Sequence, residues 1–148
     1  MTHKEAEAYF ETPEKVKTLI EICEAKYFKR IDYNANLFIN HSLTSPQDTT
    51  KVLDELTGYY MLLIDIYLVS CEVKKRKFNE AFNKKKLELT SQGIKVTSTI
   101  LEKEADQEIA TYRMARNKLE ANVNKCTQAI STCQSKLKYW AKEVDLAK

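Results

Sequence analysis

Glycine and proline are nearly missing from this chain, with two of each in 148 residues. Sheets joined by tight turns consume both, so their scarcity excludes an ordinary β-rich domain and points to long helices. Histidine is equally scarce: His3 and His41 are the only two, and neither lies near a cysteine in sequence. The four cysteines contain no CxxC pair, so neither a zinc site nor a cysteine–histidine nucleophile is expected. Cys126 and Cys133 fall two turns apart on one helix, about 10 Å by the rise per residue, which is too far to bridge. All four cysteines, with Cys23 and Cys71, are read as small, reduced core residues. There is no glycine-rich phosphate loop, no HExxH and no serine or cysteine with a plausible histidine base nearby in sequence. The carboxylate pairs Glu102/Asp106 and Glu104/Glu108 have the spacing that any charged helix produces, so the expectation is a protein without enzymatic activity, cofactor or metal. Long apolar runs are lacking too. The most hydrophobic stretch, Tyr59 to Ser70, is broken by Asp65 and flanked by Glu55 and Glu72, short of the roughly eighteen uninterrupted apolar residues of a membrane span. The first residues, Met1 to Glu7, are acidic and carry no apolar secretory segment, so a soluble cytoplasmic protein is expected.

What the chain has in abundance is helical patterning. In the last part the apolar positions Ala105, Ile109, Tyr112, Leu119, Val123, Cys126, Ile130, Cys133, Leu137, Trp140 and Val144, with Arg116 among them, are separated by alternating steps of four and three. That heptad stripe stays on one side of a helix only if the helix supercoils slightly around a partner. Leu119, Val123, Cys126, Ile130, Cys133, Leu137, Trp140 and Val144 are accordingly candidates for an oligomerisation seam, and a homo-oligomer is the default expectation. Upstream, Met1 to Glu11 forms a short arm with Ala6, Tyr9 and Phe10 at helical spacing. Thr12-Pro13-Glu14 then carries a capping hydroxyl, a proline at the first helical position and an acid in the first turn. The stripe Val16, Ile20, Cys23, Tyr27, Ile31, Ala35, Phe38 predicts a first helix from Pro13 to about His41. Ser45-Pro46 with Asp48 repeats the start signal, and the second helix runs to Ser91-Gln92-Gly93, where glycine supplies a stop. Thr99 and Glu102 are spaced as the capping box of the third. The expected fold is a single all-α domain over residues 1–148: an arm and helix over 1–44, then a long hairpin over 45–148 whose two helices form an antiparallel coiled coil.

The net charge of +3 conceals segregation. The first two dozen residues are rich in glutamate, whereas the second helix carries Lys74-Lys75-Arg76-Lys77 and Lys84-Lys85-Lys86 with only Glu80 between the clusters among the acids. A hairpin turning near Gly93 brings together residues whose numbers sum to about 186. Arg113 and Arg116 then come opposite Lys74 to Lys77, with Phe78, Phe82 and Tyr112 in the same patch. Like charges so concentrated repel unless an anion is bound. Lysine and arginine displace counterions from phosphates, and aromatic faces stack on unpaired bases, so single-stranded nucleic acid is the natural ligand. An acidic protein surface satisfies the same charge pattern, and a structural or inhibitory coiled coil docking such a partner is the alternative.

The basic helix end, the glycine-containing turn Lys84 to Gly93, the restart at Lys95-Val96-Thr97, and the long C-terminal helix finishing in Cys133-Gln134-Ser135-Lys136-Leu137-Lys138-Tyr139-Trp140 resemble small helical phage proteins related to the UvsY-type recombination mediators. The resemblance covers roughly Leu53 to Glu143. It implies a ring-like homo-oligomer in the host-cell cytoplasm that binds single-stranded DNA and helps load a recombinase onto strands covered by single-strand binding protein. It places the family's DNA-contacting stretch on Lys74, Lys75, Arg76 and Lys77.

Overall fold

The computed structural model describes residues 1–148, all in helices and short connections with no strand. The N-terminal arm is helix α1, His3–Tyr9, started by a capping box: the Glu5 amide donates to the Thr2 hydroxyl and the Thr2 amide donates to the Glu5 carboxylate at 2.7 Å. These bonds hold the Glu5 carboxyl below its ordinary pKa. The arm is docked, with Ala6 and Phe10 both buried. Thr12 caps α2 (Pro13–Cys23), accepting from the Lys15 amide. Ser45 caps α4 (Pro46–Ser91) in the same way, accepting from Asp48.

The first long helix differs from its expected pattern in one respect. Between α2 and α3 (Lys29–Ile39) lies a single π-helical turn, Glu24–Phe28. A π turn inserts an extra residue and rotates everything after it. The buried positions therefore run Val16, Leu19, Ile20, Cys23, then Phe28, Ile31 and Asn34, in place of the expected Tyr27 and Ala35, which are only half-buried. α3 ends with His41 at φ 52°, its amide donating to the Phe38 carbonyl and that of Ser42 to Leu37. This is the left-handed C-terminal cap that glycine usually fills. Gly93, at φ 68°, closes α4 with the same pair of bonds, to Thr90 and Leu89.

The last helix is interrupted where a continuous one was expected. α5 spans Ser98–Glu108 and α6 spans Ala110–Ala147, with Ile109 between them at ψ 15°. Thr97, not Thr99, is the residue before α5, and its side chain makes no cap. The backbone bonds from the Ile109 amide to Ala105 and from the Arg113 amide to Ile109 bridge the irregularity, so the two helices remain joined through it.

Polar pairs fix how the long helices lie. Lys85 meets Glu104 at 3.3 Å and the Tyr67 hydroxyl donates to Glu120 at 3.2 Å, so numbers fall on α4 as they rise on α5 and α6. These pairs sum to 189 and 187, close to the register expected for a turn at Gly93. Arg30 donates to both carboxylate oxygens of Glu55, at 2.6 and 2.9 Å, and the Tyr59 hydroxyl joins them at 2.9 Å. Arg30 thereby holds the Glu55 carboxyl below its ordinary pKa and ties α3 to α4. Two of the N-terminal acids grip α6: Glu24 accepts from Lys118 at 2.5 Å and Asp32 from Lys125 at 2.6 Å. The acidic N-terminal segment thus has a structural role against α6 lysines.

One apolar core lies between α2–α3, α4 and α5–α6. Leu19, Leu56, Leu63 and Leu119 are fully enclosed in it. By length and composition α4 is apolar enough to cross a bilayer, contrary to the expectation that no segment is, because the isolated Asp65 dilutes rather than removes its apolar character. Only a third of its most apolar stretch is buried, and Met61 and Leu68 stand exposed on its outer side.

Candidate nucleic-acid interface

The nine predicted cationic residues lie along the C-terminal half of α4 and the start of α6. Their surroundings sort them into two sets. Lys77 pairs with Glu80 at 3.7 Å, and Lys85 lies between Glu88 and Glu104. Arg113 pairs with Asp106 at 3.4 Å, and Arg116 forks onto Glu120 at 2.8 and 3.1 Å. Lys74, Lys75, Arg76, Lys84 and Lys86 have no carboxylate within 4 Å.

Arg116 is nevertheless brought to Lys74 and Lys75, as the hairpin register anticipates. The three border a cleft of about 460 Å³ between α4, α5 and α6, together with Cys71, Phe78, Glu102 and Asp106. Hydrogen bonding to Cys71 raises the Arg116 guanidinium above its ordinary pKa, against the opposing effect of burial. Its face also lies 5.8 Å from the Tyr67 ring. Arg116 is therefore a fixed, permanently charged wall of the cleft, whereas the two lysines are free to reorient. Phe78 and Phe82 sit 6.2 Å apart at 31° and half-buried, and the Lys77 ammonium lies 5.8 Å over Tyr112. Burial raises the Tyr112 hydroxyl, which keeps it neutral.

The second cluster is less purely basic than the chain order suggests. Lys84 and Lys85 border a recess with Glu88, Glu104, Gln107 and Glu108, and hydrogen bonding to Glu104 raises Lys85. Sequence reasoning counted the acids of α4 but not those that α5 lays beside it. The hairpin register would have pointed to them, since a sum of about 186 places Glu102 opposite Lys84, and the observed sum of 189 for Lys85 and Glu104 lies within one helical turn of it. Glu102 and Asp106 were dismissed as ordinary helix charges, and the structure puts both in the cleft.

The seam residues also divide. Leu119, Val123, Cys126 and Cys133 are buried inside the chain itself, by α2–α3 and α4, so they build the core of one protomer. Ile130, Leu137 and Trp140 are half-buried, and Val144 is 58% exposed beyond the end of the bundle. Burial pushes the thiols of Cys23 and Cys126 up to about 11 and raises Cys133 in the same direction. Cys71, expected in the core, is instead half-buried at the cleft edge. No protein-family model, curated protein or solved structure matches the chain.

Proposed function

We propose that this protein binds single-stranded DNA through the basic C-terminal half of α4 and serves, without enzymatic activity of its own, as a self-associating accessory of phage recombination or replication. The observation that carries this reading is the crowding of cations on one stretch of helix: Lys74, Lys75, Arg76, Lys84 and Lys86 stand within thirteen residues of α4, and none has a carboxylate partner. Cations held together without counter-charges favour a polyanion, and the half-buried Phe78 and Phe82 beside them offer faces for unpaired bases. Arg116, Arg113, Lys77 and Lys85 supply background potential while remaining tied to their own acids. α4 and α5–α6, taken as an antiparallel coiled-coil hairpin, form the rigid rod that displays this face. Self-association falls to the open C-terminal part of the heptad stripe, Leu137, Trp140 and Val144. A recombinase and a single-strand binding protein are the partners that the resemblance to UvsY-type mediators suggests.

The acids interleaved with the Lys84–Lys86 cluster favour a second reading, in which a protein surface of mixed charge docks there. Anisotropy of a labelled oligonucleotide across a salt series separates the two. Each phosphate neutralised on a single strand contributes about −0.7 to the slope of log affinity against log salt, so five free cations give a slope of up to about −3.5 per protomer. Replacing Lys74, Lys75 and Arg76 by alanine removes about 2 of that slope if all three contact phosphates. An unchanged slope refutes the proposal.

A further inference from the structure

The cleft between α4, α5 and α6 has a feature that backbone binding leaves unused. Its α4 wall presents the unpaired ammonium groups of Lys74 and Lys75, its α5 wall presents the carboxylates of Glu102 and Asp106, and the half-buried Phe78 lines it with them. Opposite charges lining one recess ordinarily close on each other, yet neither lysine comes within 4 Å of either acid. Asp106 is held by Arg113 on one oxygen, and Glu102 has no cationic or hydrogen-bonding partner at all. Arg116 is locked onto Glu120 and so is kept from neutralising the carboxylates. A purely anionic ligand would be drawn by the lysines and repelled by the acids. The ligand that fits must carry an anion, a flat apolar face and, at the far side, hydrogen-bond donors.

An unpaired nucleotide has those three parts. Its phosphate suits Lys74 and Lys75, and its base suits the face of Phe78. The Watson–Crick edge then meets an acceptor-only carboxylate, which takes two donors side by side. Guanine alone among the DNA bases offers that pair, N1–H beside the N2 amino group. Thymine presents its N3–H between two carbonyls, and adenine and cytosine each set one amino group next to a bare ring nitrogen. We infer that the α4–α5 cleft is a base-reading pocket for an unpaired guanine of a single strand, with Glu102 accepting from its N1 and N2 donors. The inference rests on the strand-binding reading and adds base preference to it.

Anisotropy with three labelled twelve-mers tests it: alternating thymine–guanine, alternating thymine–inosine, and thymine alone. Inosine keeps N1–H but lacks the N2 amino group. The guanine strand is expected to bind roughly tenfold more tightly than the thymine strand, the scale of a good bidentate base contact, with the inosine strand losing most of that margin. Glu102→Gln replaces one acceptor oxygen by a donor, and should erase the guanine margin while leaving thymine binding unchanged or stronger. Glu104→Gln, outside the cleft and paired with Lys85, should preserve the margin. Equal, salt-sensitive affinity for all three strands overturns the guanine inference and leaves strand binding standing. Absence of binding to all three at low salt overturns both.

Discussion

Leu119→Ala tests whether the heptad stripe closes within one chain or between chains. Leu119 is fully buried, in a core shared by α2–α3, α4 and α6. Truncating a leucine so enclosed costs about 2.7–5 kcal/mol, the lost transfer energy plus a cavity that close-packed neighbours fill only in part. Unfolding entropy near 2.1 cal/mol/K per residue gives roughly 310 cal/mol/K for a chain of this length, so Tm should fall by about 9–16 °C. The measurement is thermal and urea unfolding followed by far-ultraviolet dichroism at protein concentrations two decades apart. If the stripe is internal, the cost of the substitution is the same at both concentrations and appears as loss of helix. Val144→Asp, on the exposed end of the same stripe, should leave the stability of the single chain unchanged and lower Tm only at the higher concentration, where self-association contributes. A cost below about 1 kcal/mol for Leu119→Ala, or dissociation of an assembly with helix content intact, would refute the internal seam, since neither fits an enclosed leucine.

Three further outcomes follow from individual side chains. Asn34 is 1% exposed and its amide nitrogen makes no hydrogen bond within 3.5 Å, although its side chain helps to hold the Glu55 carboxyl low, so Asn34→Leu should change stability by less than about 1 kcal/mol in urea unfolding; strong destabilisation would show that Glu55 satisfies the amide. His41 holds φ 52° at the C-terminal cap of α3, and His41→Gly should raise stability by about 0.5–1 kcal/mol, the relieved left-handed strain less the added freedom of the unfolded chain. Arg30 lowers the Glu55 carboxyl pKa by hydrogen bonding, so its contribution is present above the unfolded glutamate value and is lost as pH falls through the lower folded one. Glu55→Gln should flatten that acid-side loss, and an unchanged pH profile of urea midpoints would refute the linkage.

The sequence exposes the fold's starts and stops because they are local. Thr12-Pro13, Ser45-Pro46 and Gly93 act through backbone groups within four residues of themselves, and all three stand where their chemistry puts them. The π turn at Glu24–Phe28 left no such mark. Nothing in Glu-Ala-Lys-Tyr-Phe forbids an ordinary helix there. The extra residue is stabilised by what it permits, the burial of Phe28 and Ile31 on the face that holds Cys23, and that is a property of three helices together. The break at Ile109 is of the same kind, with no glycine or proline to announce it. The capping box read at Thr99 and Glu102 shows the opposite error, a local motif spacing overruled by a helix that begins two residues earlier.

For the candidate interface, composition along the chain located the cations but not their partners. Lys74 to Lys77 read as one cluster, yet they form two faces. Lys74 and Lys75 border the cleft, while Lys77 turns toward Glu80 and Tyr112. Consecutive residues on a helix are 100° apart, so four in a row cannot share one ligand-facing side. The same rotation explains why the acids of α5 alternate between roles. Glu104 neutralises Lys85, whereas Glu102, two residues away on the other side of the helix, is left unpaired beside Lys74 and Lys75. A basic run on a long helix is thus divided by helical geometry into cations that serve the hairpin and cations left for a ligand. Under the guanine inference, the unpaired Glu102 is what separates the cleft from a plain phosphate-binding face, since a carboxylate repels the backbone but accepts the donors of a base edge.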